Sequence, residues 1–198
     1  LARDAAARTA LARALIDWCG GQGLSSLHLL FGNADDHAAC AAAGMMTRHQ
    51  VQFHWNNRHP AEDRPFTSFH DFLASLTQDK RKKIRQERRK VANAGIRFRW
   101  ARGTDIAPAD WAFFYRCYRR TYLEHGNAPY LTPAFLSAMA EEMPEHWVLF
   151  VADHEGTPVA ASLIAVDSAA PAGSASVAYG RYWGALARVD SLHFEACY

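Results

Sequence analysis

Two apolar runs, WVLFVAD (147–153) and PVAASLIAVD (158–167), flank a turn at Glu155-Gly156. Runs of strand length joined by so short a turn fold back on each other, so they read as an antiparallel hairpin. The hairpin fixes the class. Around it, helical and strand patterns alternate, and IRFRWA (96–101) and ASVAYGRYWG (175–184) supply two further strands. With 198 residues, 49% of them apolar, the chain has ample material for a core. The expected architecture is α/β: a mixed, partly antiparallel sheet flanked by helices.

The helical segments carry their own start and stop signals. Residues 4–19 place Leu11, Leu15 and Trp18 on one face and end at Gly20, Gly21 and Gly23. A second helix is capped by Asn33 or Asp35 and exits at Gly44. Others begin near Ser68, at the basic run ending in Gly95, after Pro108 and after Thr132-Pro133, while DSLHFEACY opens the last. After Pro108, Trp111, Phe114, Tyr118, Tyr122 and His125 recur at steps of three and four until Gly126. After Pro133, Phe135, Leu136, Met139 and Met143 are expected to point inward. SSLHLLF (25–31) reads as a buried strand. TRHQVQFHWNN (47–57) reads as a strand burying Val51, Phe53 and Trp55. The polar stretch RHPAEDRPF sets a boundary near residue 66, giving units 1–66 and 67–198.

Charge is concentrated in one element. DKRKKIRQERRK (79–90) holds eight Lys or Arg against Asp79 and Glu87, a local +6. The 14 basic and 18 acidic residues outside it leave the remaining chain at −4. Eight cations at helical spacing surround most of a helix, with Ile84 and Val91 as its sparse apolar seam. Such a helix is either a solvated surface element or a grip on phosphates. Lys80, Lys82, Lys83, Arg85, Arg88 and Arg89 are the candidate polyanion contacts. Base reading is not expected, since no recognition motif of the common nucleic-acid modules is present.

Cysteines at 19, 40, 117 and 197 show no CxxC spacing, and the ten histidines show no usual zinc spacing. Free thiols and no metal are therefore expected. No run approaches the ~18 apolar residues of a membrane span. The Ala-rich N-terminus lacks the order of a signal peptide. The expectation is a soluble, cytoplasmic chain and, from the look of both ends, an internal fragment of a longer protein.

SLTQDKRKKIRQERRKVANAGIRFR resembles the basic helix and strand that open the second acyltransferase-like unit of the Fem-type peptidoglycan ligases. HGNAPYLT (125–132), AYGRYWGAL (178–186) and SLHFEACY (191–198) are similar to a bacterial family of predicted N-acyltransferases related to those ligases. This resemblance covers most of 66–198. Residues 1–60 resemble the closing half of a preceding GNAT-like unit. The Fem-type enzymes carry two such units and pass amino acids from aminoacyl-tRNA to a peptidoglycan precursor. The resemblance thus implies aminoacyl-tRNA as acyl donor and a small-molecule or peptide amine as acceptor. Two departures stand out. GNAT enzymes hold acyl-CoA with Arg or Gln, two residues, Gly, one residue, then Gly or Ala. The matching place runs Arg181-Tyr182-Trp183-Gly184-Ala185 and ends in a bulky Leu186, which argues against acyl-CoA. The ligases carry a basic residue for precursor phosphates soon after the helix-ending Gly, and NAPYLTPAF has none.

Acyl transfer to an amine needs a neutral nucleophile, a polarised carbonyl and a fixed geometry between them. His125, at a helix end, is the candidate base. Tyr179, Arg181 and Trp183, at i, i+2 and i+4, are expected to share one side of their strand and to line a cleft with it. Catalytic roles fall to His125, Tyr179 and Arg181. Substrate contacts fall to Tyr122, Tyr130, Trp183, His193 and Glu195. A non-catalytic tRNA- or RNA-binding module built on helix 79–90, and a catalytically idle scaffold, remain open alternatives. Strand 25–31 is finally expected to pair with strand 177–183, within one chain or swapped between two copies.

Overall fold

The computed structural model describes residues 3–49, 51, 53–167 and 176–197, and at Arg181 the backbone only. The chain forms two compact units, Leu1–Asn57 and Arg58–Tyr198. The polar stretch after Asn57 therefore belongs to the second. Among the described residues no helix is long and apolar enough to cross a membrane.

The first unit pairs two helices, α1 (Ala5–Gly21) and α2 (Ala34–Ala42). Asp4 caps α1 by accepting from Ala7 N–H at 2.7 Å. Asn33 and Asp36 form a reciprocal capping box on α2, and Arg8 of α1 donates to Asp36 at 2.5 Å. The face α1 buries is Ala12 and Cys19, while the expected anchors Leu11 and Trp18 are exposed. Small residues let the two helices approach, and the larger ones are left outside. Residues 25–31 form no strand: Phe31 turns the backbone at φ 59 and is 89% exposed. Described residues of 47–57 form none either, and Phe53 is 94% exposed. With no strand at 25–31, the expected pairing with 177–183 within the chain is overturned.

The second unit begins with α3 (Phe69–Ser75) and the basic α4 (Gln78–Asn93), followed by strand β1 (Ile96–Arg102). Helices α5 (Pro108–Glu124) and α6 (Pro133–Glu142) precede strands β2 (Trp147–His154), β3 (Thr157–Val166) and β4 (Ala178–Ala185), and α7 (Leu192–Cys197) closes the order. The four strands form one sheet, β1-β2-β3-β4, antiparallel at every pairing. The hairpin turn has positive φ at both Glu155 (50) and Gly156 (78). That twist matches the strands it joins.

Each sheet face has its own core. On one, Phe114, Cys117 and Tyr118 of α5 and Leu136 and Met139 of α6 pack with Leu149, Val151, Ala161 and Leu163. On the other, Val91 of α4 and Leu192 of α7 pack with Ile96, Ala152, Val159 and Ala160. Phe135 and Met143, expected inward on α6, are substantially exposed. Burying a leucine such as Leu149 or Leu163, each no more than 1% exposed, stabilises by about 1.5–3 kcal/mol.

Candidate functional site

Helix α5 ends where the chain concentrates its hydroxyl chemistry. Pro108 sits in its first turn and Gly126, at φ 73, turns the chain out of it. The loop that follows returns Tyr130 to the helix. Leu131 N–H donates to the buried Tyr118 hydroxyl at 3.1 Å, which anchors that return. Tyr130 and Tyr182 then hydrogen-bond hydroxyl to hydroxyl at 2.5 Å. Tyr118 packs 4.6 Å from Tyr122 and 5.2 Å from Tyr182, and Tyr122 lies 5.4 Å from Tyr130. Burial first, and then the hydrogen bond to Tyr130, push the Tyr122 phenol up from its ordinary 10.0. It therefore remains a neutral donor at physiological pH.

His125 is the C-cap of α5 and is exposed. Its Nδ1 lies 2.7 Å from the Thr121 carbonyl, which can only accept, so Nδ1 carries the proton. Nε2 is left as the lone-pair nitrogen, the tautomer that a general base needs.

The strand trio does not share a face. Ser162 pairs with Trp183 and Leu163 with Tyr182, but Ile164 pairs with Gly180. Arg181 is the extra residue of a β-bulge, and the bulge inverts the alternation below it. Tyr179, opposite Ala165, falls on the α5 side of the sheet together with Tyr182. Trp183 falls on the other side and stacks against His193 of α7 at 5.4 Å. The Arg181 side chain lies outside the described residues. Tyr182, which the even spacing passed over, is thus the strand residue that joins the hydroxyl cluster. Its signal was Gly180, since a glycine inside a strand often marks a bulge.

Gly184, at the phosphate-loop position of the GNAT pattern, has a packing role. A Cβ there would lie 2.4 Å from the Cys117 carbonyl oxygen and 2.8 Å from Thr121 Oγ1. Thr121 in turn donates to the Trp183 carbonyl at 3.2 Å. The bare backbone of β4 is pressed onto α5. Cys117 beneath it is fully buried, and burial pushes its thiol up to about 12. It is not a nucleophile.

The basic helix is largely exposed, as its charge demands. Within 79–90 only Arg81, Ile84 and Glu87 are half-buried. The six candidate cations do not behave alike. Lys83 sits 3.9 Å from Glu87. Arg88 donates to Glu195 of α7 at 2.9 Å and lies 4.4 Å over the Phe69 ring of α3. Glu195, expected at the substrate, thus holds the basic helix. Lys82, Arg85 and Arg89, with Arg81 added, line a groove of about 560 Å³ between α3 and α4. Among the described residues no cluster of His, Cys, Asp or Glu suited to a metal is found.

The structure therefore brings Tyr122 and Tyr130 together, Trp183 and His193 together, and Glu195 onto Arg88. A family model described as FemAB-like, peptidoglycan biosynthesis/recognition, matches residues 1–198. No curated protein matches the chain.

Proposed function

This chain belongs to the FemAB-like family, and we propose that it is an N-acyltransferase of peptidoglycan construction. In this reading it passes an aminoacyl group from aminoacyl-tRNA to the amine of a precursor peptide, and residues 67–198 are the opening part of a GNAT-like unit. The observation that carries it is the hydroxyl cluster at the end of α5, one helical turn from a histidine whose outer nitrogen is free to accept.

His125 Nε2 takes a proton from the attacking amine. Of the three protons on the Tyr122, Tyr130 and Tyr182 hydroxyls, two lie in the bonds within the cluster, and the third is left to donate to the ester carbonyl oxygen as it gains charge. A C–N bond forms while the ester C–O bond to the ribose breaks. The proton held on His125 then passes to the departing ribose oxygen, which balances the step. The basic face of α4 holds the RNA phosphates.

His125→Gln puts a neutral side-chain amide in place of the imidazole and so removes the nitrogen that accepts the proton. With labelled aminoacyl-tRNA and a stem peptide, kcat should fall at least 100-fold, with KM for the RNA changed less than threefold. A variant that turns over at the wild-type rate removes His125 from the mechanism.

A further inference from the structure

We propose that the groove between α3 and α4 seats a single nucleic-acid strand through about three successive phosphates on Lys82, Arg85 and Arg89, and that Arg88 builds the groove without touching the strand. The proposal rests on the RNA-dependent transferase reading and locates the donor's phosphates within it.

The groove is walled by His70 and Ala74 of α3 and by Arg81, Lys82, Arg85 and Arg89 of α4. A second groove of about 520 Å³ shares Lys82 and Arg89 and continues along α4 past Gln86 and Lys90. Among the described residues no carboxylate lines either one, and Lys82, Arg85 and Arg89 have no ion-pair partner. Neither Asp79 nor Glu87 lines either groove, and Glu87 sits beside Lys83. The cations here are therefore uncompensated, in contrast to those at Lys83 and Arg88.

Their spacing selects the ligand. At 1.5 Å of rise per residue, 82, 85 and 89 span about 10 Å of helix axis. Phosphates of a strand stacked as it is in a duplex recur about every 3.4 Å along its axis, so about three fall within that span when the single strand keeps its stacking. A pyrophosphate is shorter and engages one rung. A groove bounded by α3 on one side and α4 on the other favours a single strand, since a duplex presents a broad convex surface that would ride on the α4 ridge. Lining amides such as Gln86 lie among cations that contact backbone, so binding is sequence-independent.

Arg88 sits between the ring of Phe69 and the carboxylate of Glu195. Those two contacts hold α3 and α7 against α4. Its charge is already matched, and its part is to fix the groove wall.

The salt dependence of binding separates these roles, because its slope counts phosphate contacts. Anisotropy of a labelled 12-nucleotide oligo-U with the whole chain should give a log–log slope near −2, about −0.7 per contact on a single strand. Arg85→Ala and Arg89→Ala should each flatten it by about 0.7. Arg88→Ala should weaken binding while leaving the slope unchanged, and Glu195→Gln should do the same. The duplex form of the 12-mer should bind more weakly, and inorganic pyrophosphate should compete only at far higher concentration. The proposal is overturned if Arg88→Ala also flattens the slope, if Arg85→Ala and Arg89→Ala leave it unchanged, if the duplex binds more tightly, or if pyrophosphate displaces the strand at equal concentration. Intact RNA binding without aminoacyl transfer would sink the transferase reading and leave this one standing.

Discussion

Replacing Gly184 with alanine adds one methyl group at the most crowded backbone approach in the second unit. The new carbon would stand 2.4 Å from the Cys117 carbonyl oxygen, 2.6 Å from its carbon and 2.8 Å from Thr121 Oγ1. Two of these atoms belong to helix backbone, which cannot swing aside as a side chain can. Relief requires β4 and α5 to separate by several tenths of an ångström along their contact. Overpacking of this kind costs about 1–3 kcal/mol. Separation also strains the Thr121 hydrogen bond to the Trp183 carbonyl, about 1 kcal/mol more. A loss near 3 kcal/mol corresponds to a drop of about 10 °C in melting temperature for a domain of this size. Gly180 is the internal control. It lies on the same strand, has negative or extended φ, and a Cβ there meets nothing within 4 Å. Urea unfolding followed by circular dichroism should place Gly184→Ala well below wild type and Gly180→Ala within about 0.5 kcal/mol of it. Equal midpoints for the two variants would refute the packing role of Gly184.

Glu155, at φ 50 in the hairpin turn, occupies a backbone region that asparagine tolerates better, so Glu155→Asn should raise stability by about 0.5–1 kcal/mol in the same urea assay. The Tyr130–Tyr182 hydroxyl pair should show a coupling of about 1 kcal/mol in a double-mutant cycle of the two Tyr→Phe changes. Tyr122 has its folded-state value raised by burial, so its contribution to stability is full below pH 10 and is lost as pH rises above it. Denaturation midpoints should therefore decline above pH 10 in wild type, and decline less in Tyr122→Phe. Cys117, raised to about 12 by burial, should resist alkylation at pH 8 until the protein unfolds, which peptide mapping would reveal.

How much was legible in the sequence depended on whether a feature is set locally. The Glu155-Gly156 hairpin, the Asn33 cap, the exits at Gly44, Gly95 and Gly126 and the exposure of the basic helix all follow from a few adjacent residues, and all are present. SSLHLLF and TRHQVQFHWNN carried strand patterns as clear as that of IRFRWA. Yet a strand exists only by pairing, and the described residues of those runs have no ladder partner. Side-chain parity failed at a single residue. The bulge at Arg181 exchanged Tyr182 for Trp183 on the α5 face, and no period-two count registers an inserted residue. The hydroxyl cluster was half visible, since Tyr118 and Tyr122 lie one helical turn apart, whereas Tyr130 and Tyr182 join them only through the loop and the sheet. Arg88 looked like its cationic neighbours in sequence, and its partner Glu195 is 107 residues away.

The central claim is acyl transfer from RNA to an amine, and the intact mass of the acceptor reads it most directly. The whole chain is incubated with tRNA charged with a mixture of amino acids and with a peptidoglycan stem peptide bearing a free side-chain amine. The account predicts a peptide heavier by one aminoacyl residue, formed in step with release of uncharged tRNA and abolished when the peptide amine is acetylated. A peptide of unchanged mass, while the tRNA loses its amino acid no faster than in buffer, would contradict it.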